Sequence, residues 1–182
     1  AAKVTAELGK WSDDDLKDMD ELFEILGLGA LKYFILKVDP IKNMLFNPEE
    51  SIDFNGNTGP FIQYTHARIS SLIAKSKDNG ISYPPLDSDD SYSFEEVEKR
   101  LLRRLHNWPL VVADAGRELN PALVANYCYN LARDFNQFYH SLSVLSADTP
   151  RQISTRLALS GFTGIVLRSA MGLLGITLPD RM

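Results

Sequence analysis

Apolar residues recur along this chain with the period of a helix, and no stretch shows the alternation of a half-buried strand. Leu22, Phe23 and Leu26, followed by Ala30, Tyr33 and Phe34, predict a first helix, broken or kinked near Gly27 and Gly29. Its start is marked by Ser12 and the acidic run Asp13 to Asp15, and Asp39-Pro40 ends it. Asn47-Pro48 predicts a short capped turn of helix. The turn cluster Asn55–Pro60 leads into a helix over Phe61–Ser76, with Ile62, Ile69 and Ile73 on one side.

The second half is more regular. Lys77–Ser93, with Pro84-Pro85, reads as a polar loop. Ser93 with Glu96 three residues on predicts a capping box opening the next helix, and Trp108-Pro109 marks the boundary to a short helix over Pro109–Leu119. Asn120-Pro121 then caps a long helix whose apolar stripe is Val124, Cys128, Leu131, Phe135, Phe138 and Leu142. A last helix follows Asp148-Thr149-Pro150, with stripe Ile153, Leu157, Ser160, Gly164, Leu167, Met171 and Leu174. Small Ser160 and Gly164 would admit a neighbouring helix closely. Two long helices joined by a short connection lie antiparallel, so the fold class is all-α, an antiparallel helical bundle.

Composition narrows the function more than the fold. At 182 residues, 45% hydrophobic and 24% charged, the chain can bury a core without disulfides or metals. No apolar run is long enough to cross a membrane, and Ala1–Lys10 has no signal-peptide core. One cysteine, Cys128, permits no internal disulfide, fits a cytoplasmic protein, and lies on an apolar stripe as a core thiol. His66, His106 and His140 have no second metal ligand at zinc spacing, and neither a phosphate-binding glycine loop nor a nucleophile–base constellation is present. The residues read as a binding module without catalytic or metal residues.

The net charge of −5 is unevenly spread. Residues 1–96 hold 9 Lys and Arg against 18 Asp and Glu, whereas residues 97–182 hold 10 against 6. The basic half, including a helix face of Lys99, Arg100, Arg103 and Arg104, is compatible with phosphate contacts or with plain solvation.

The segment most informative about binding is Gly56–Arg68. Phe61, Tyr64 and Arg68 stand at i, i+3 and i+7 on one helix face, where two rings and a guanidinium could stack on unpaired bases and hold phosphates. Spacing leaves open that Phe61 and Tyr64 are core and Arg68 a surface cation. Tyr139, beside His140 and near Ser143, is a second aromatic candidate or a rim tyrosine.

Four ordered blocks carry a family resemblance: GALKYF from Gly29, FNGNTGPFIQYTHAR from Phe54, ANYCYNLARDFNQFY from Ala125, and the ending LLGITLPDRM from Leu173. Together they resemble the C-terminal part of arginyl-tRNA synthetases. The resemblance implies that 56–182 is a DALR-type anticodon-binding bundle and that 1–55 is a helical remnant of the catalytic region on the inner-corner side of the tRNA. It implies anticodon-loop contacts for Phe61, Tyr64, Arg68, Tyr139 and Met182, with arginine tRNA as partner and a monomer as the expected state. The full-length family enzyme is an ATP-dependent ligase, with magnesium.

Three departures matter. Phe61 stands where a tyrosine is common, the motif that names the domain reads Ser154-Thr-Arg-Leu so that Arg156 matches and its neighbours do not, and Ser143 occupies a position where some members carry an aromatic. The ATP-binding signatures of the family and its N-terminal tRNA-elbow domain are absent. The expectation is therefore a fragment cut on its N-terminal side, with no cofactor of its own and no ligase activity alone. The alternative from another class is a helical protein–protein module without RNA binding.

Overall fold

The computed structural model describes residues 15–81 and 92–182, with side chains from Met19 onward. The expected helix-start signal at Ser12 to Asp14, and most of the polar loop 77–93, lie outside the described residues. Helices are α1 (Asp15–Leu36), α2 (Pro48–Ser51), α3 (Gly59–Asp78), α4 (Glu96–His106), α5 (Trp108–Glu118), α6 (Pro121–Ser141) and α7 (Pro150–Leu173). Among the described residues there is no strand, and none of their helices is long and apolar enough to cross a membrane.

Caps set most of the helix starts. Asn47 accepts from Glu49 and Glu50, Thr58 from Phe61, Asn120 from Ala122, and Thr149 from Gln152, each with Pro in the first helical turn. The α4 cap differs from the expected one. Its pair is Glu95 with Glu98, the Glu95 N–H donating to Glu98 Oε2 at 2.8 Å, rather than Ser93 with Glu96. Glu98 is wholly buried and held from the other side by Arg156, so the tertiary partner fixes which residue closes the box.

The expected break at Gly27 and Gly29 is also absent, since α1 is continuous through both. Gly29 meets α3 instead: a Cβ on Gly59 would stand 2.6 Å from the Gly29 carbonyl oxygen. The two glycines let the backbones of α1 and α3 nearly touch, which a side chain on Gly59 would prevent.

The stripes read from the sequence form one core. Tyr33 of α1, Ile62 and Ile69 of α3, Leu131, Phe135 and Phe138 of α6, and Leu157, Leu167 and Met171 of α7 are buried together with Cys128. Burial pushes the Cys128 thiol up to about 12, which keeps it protonated and inert. The Tyr33 hydroxyl has two acceptors within reach of its one proton, Asn57 Oδ1 at 2.6 Å and the Ala125 carbonyl at 2.9 Å, which satisfies it inside the core. Gly164 does admit a neighbour: its Cβ position lies 3.1 Å from Ile69 of α3.

After α7 the chain reverses at Gly175, whose φ of 66° is the left-handed turn of a Schellman cap, with the Ile176 N–H bonded to the Met171 carbonyl. The remaining residues run back across α3. Gln63 Nε2 donates to the Thr177 carbonyl at 3.0 Å, His66 Nδ1 lies 3.0 Å from the Pro179 carbonyl, and Ser70 Oγ donates to Asp180. With Ile176 and Leu178 buried, this tail is a fixed part of the bundle.

Candidate nucleic-acid interface

Helix α3 presents three strips. Ile62, Ile69 and Leu72 enter the core, and Gln63, His66 and Ser70 hold the C-terminal tail. The third strip, Tyr64, Arg68, Ser71 and Lys75, borders a groove of about 760 Å³. The opposite wall is Tyr139 at the end of α6 and the connection Leu142–Ser146, and the tail contributes Arg181 and Met182.

Arg68 is the centre of this groove. Its guanidinium carbon lies 4.9 Å from the ring centre of Tyr64 and 5.5 Å from that of Tyr139. The two rings are themselves supported: Tyr64 meets the edge of Phe54, with centres 6.5 Å apart, and Tyr139 stacks on Phe135 at 6.0 Å. No carboxylate side chain stands among the residues lining the groove, whereas three cations do: Arg68, Lys75 and Arg181. The result is a positive recess with aromatic walls, suited to a planar anion-bearing ligand.

The wall opposite α3 is pinned from behind. Arg156 of α7 is buried and donates through Nε to Glu98 Oε1 at 2.9 Å and through Nη1 to the Ser143 carbonyl at 2.8 Å. Tyr92 donates to the same Glu98 oxygen at 2.8 Å. Burial and this hydrogen bond to Glu98 push the Tyr92 hydroxyl up to about 12. Burial opposes the charge on Arg156, but the bonds to Glu98 outweigh it and raise its pKa. Arg156 thus ties the backbone of the groove wall to α4.

Four of the five residues singled out in the sequence, Tyr64, Arg68, Tyr139 and Met182, line this one groove. Phe61 does not. It shares its helix face with Arg68 but sits seven residues earlier, roughly 10 Å along the axis. There it packs half-buried against Tyr129 of α6, ring centres 5.5 Å apart, with Arg133 over the far ring. The basic face of α4 is partly consumed internally. Arg104 pairs with buried Asp134 at 2.9 Å, Arg100 donates to Gln137 and Lys99 pairs with Glu96.

Sequence reading passed over Lys75, Arg181 and Asn136. Lys75 continues the 64, 68, 71 spacing by one turn and was legible in principle. Arg181 reaches the groove only because the tail folds back. Asn136 lies beside the core stripe of α6 and gives no periodic signal.

Comparison with known proteins places the chain. The DALR anticodon binding domain family matches residues 62–182, about two thirds of the sequence, and the chain belongs to that family. Over all 182 residues it is 48% identical to an arginine–tRNA ligase of Porphyromonas gingivalis and 41% identical to one of Flavobacterium psychrophilum. It spans 30% and 29% of their respective lengths. The fold matches that of the Thermus thermophilus arginyl-tRNA synthetase with a TM-score of 0.79 at 28% identity, over 90% of this chain and 28% of that one. The Plasmodium falciparum arginyl-tRNA synthetase gives the same TM-score at 27% identity, over 91% and 28%.

Proposed function

We propose that this chain is the anticodon-recognition module of an arginine–tRNA ligase and takes unpaired nucleotides of the arginine tRNA anticodon loop into the α3–α6 groove. The observation that carries the reading is the groove itself, with Arg68 over two tyrosine rings and three lining cations that face no carboxylate side chain. Unpaired bases have faces for Tyr64 and Tyr139, and their phosphates have Arg68, Lys75 and Arg181. Met182 supplies an adaptable apolar edge where the tail enters. Phe61, with Tyr129, serves a nucleotide further along the α3–α6 seam.

In this reading residues 1–55 bridge toward a catalytic region and residues 56–182 form the recognition bundle. The module acts as a monomer in the cytoplasm. The arginine and the ATP with magnesium that ligation consumes are handled by the remainder of such a ligase. The alternative of a protein–protein module draws no support from the family or the relatives.

Binding of an arginine tRNA transcript, compared with one altered only in the anticodon loop, tests the proposal. The unaltered transcript should bind more tightly, and Tyr64→Ala and Arg68→Ala should remove that preference while leaving the helical circular dichroism signal intact. Equal binding of both transcripts would sink it. If both substitutions unfold the bundle, Tyr64 and Arg68 are structural residues instead.

A further inference from the structure

Beyond the residues that line the groove, we infer that Asn136 is a positioning residue that fixes which edge of Arg68 faces the bound nucleotide. This rests on the anticodon-loop reading above and adds a residue that does not itself line the recess.

The inference comes from what the rings leave undetermined. A cation–π contact depends mainly on how far the charge lies from the ring, so Tyr64 and Tyr139 set where the guanidinium sits but not how its fork is turned. Turning matters, because the five N–H groups of arginine point in fixed directions and a carbonyl or phosphate must meet the right ones. The bond that sets the turn is the one from Arg68 Nη1 to Asn136 Oδ1, at 2.5 Å.

Asn136 is in turn oriented by a directional chain. Thr65 Oγ1 donates its proton to the Phe61 carbonyl at 2.8 Å, one turn back on α3. The same oxygen is then left as an acceptor, and Asn136 Nδ2 donates to it at 2.9 Å. An amide that donates toward Thr65 must present its oxygen on the other side, where Arg68 donates to it. The amide's orientation therefore follows from the threonine hydroxyl and not from an arbitrary choice between its two ends. Thr65 is fully buried, so no solvent competes for that hydroxyl. Because Asn136 is neutral, it steers Arg68 without cancelling its charge, as a carboxylate at the same place would.

The test is a double-mutant cycle on affinity for the arginine tRNA transcript, with the full chain. Arg68→Ala and Asn136→Ala should each weaken binding by about tenfold, and the double variant should weaken it no further than about twofold beyond either single, because Asn136 acts through Arg68. A merely structural asparagine would give effects that multiply. Thr65→Val, made in the wild-type and Arg68→Ala backgrounds, runs the same cycle should Asn136→Ala fail to fold. It should weaken binding with Arg68 present and leave it unchanged without. If Arg68→Ala weakens binding while Asn136→Ala and Thr65→Val do not, or if the effects multiply, the positioning role is overturned alone. If Arg68→Ala leaves affinity unchanged, the anticodon-loop reading falls and this inference with it.

Discussion

Two grooves flank α3, and they are nearly the same size. The first, bordered by Tyr64, Arg68 and Tyr139, has about 760 Å³, and the second, between α3 and α7, about 820 Å³. The C-terminal tail contributes Asp180 to the second and Arg181 and Met182 to the first. Their chemistry diverges at that point. In the second groove Arg168 is paired with Asp180 at 2.5 Å, Asp180 also accepts from Ser70, and the lining includes Ile69, Ile73 and the exposed Ile165. In the first, Arg68 is held by two rings and a neutral amide and keeps its charge available. Volume does not distinguish the grooves; uncompensated charge beside aromatic faces does.

The largest effect should come from behind the first groove. Removing one member of a buried ion pair leaves the other charge stranded, so Arg156→Met should cost about 3–5 kcal/mol in urea unfolding. Replacing Glu98 as well, in Arg156→Met with Glu98→Met, should restore part of that loss. A cost for Arg156→Met below about 1 kcal/mol would mean that the pair does not pin the wall of the groove.

Affinity should separate the grooves next. Tyr64→Ala should lose about 1–3 kcal/mol of tRNA binding, the worth of one stacked base. Ile165→Ala, in the second groove, should change it by less than about 0.5 kcal/mol, as a substitution away from the bound ligand does. Comparable losses from both would break the distinction.

A finer contrast uses two lysines near the end of α3. Lys75 lines the first groove and Lys77 the second, and both lie in the last helical turn, so their effects on helix stability should match. Lys75→Ala should reduce the slope of log affinity against log salt by about 0.7–1, one phosphate contact, and Lys77→Ala should not. Identical slopes would remove Lys75 from the interface.

The smallest effect concerns pH. Burial lowers the pKa of His66 below its ordinary value, against the weaker opposing pull of the Pro179 carbonyl. The folded state therefore holds fewer protons at this site than the unfolded one, and the contribution is complete above the ordinary histidine pKa. It falls as pH drops through the folded value. Thermal melts should show a decline below about pH 6.5 that flattens in His66→Gln. An unaltered decline would assign it to another group.

Much of the bundle was legible because caps and stripes are local. Asn120-Pro121 and Thr149-Pro150 start α6 and α7 where the sequence says, and their stripes are the buried faces. Local rules failed where a distant partner decided. Gly27 and Gly29 looked like a break, yet Gly29 serves a helix crossing with Gly59, thirty positions away. Ser93 looked like a cap, yet the buried pair with Arg156 gave that place to Glu95 and Glu98.

The same division runs through the candidate site. The sequence by itself determined the inventory: a helix face with Tyr64 and Arg68, a second helix ending in Tyr139, and a family resemblance that singled out Met182. Helical period places side chains around an axis, and that was sufficient to group Tyr64 with Arg68. It could not separate Phe61 from them, because two residues on one face can still lie two turns apart and meet different neighbours. Only the tertiary structure decided that Phe61 faces Tyr129, that the tail brings Arg181 and Met182 to the groove, and that Asn136 holds Arg68. Each of those depends on contacts between segments that no local periodicity connects.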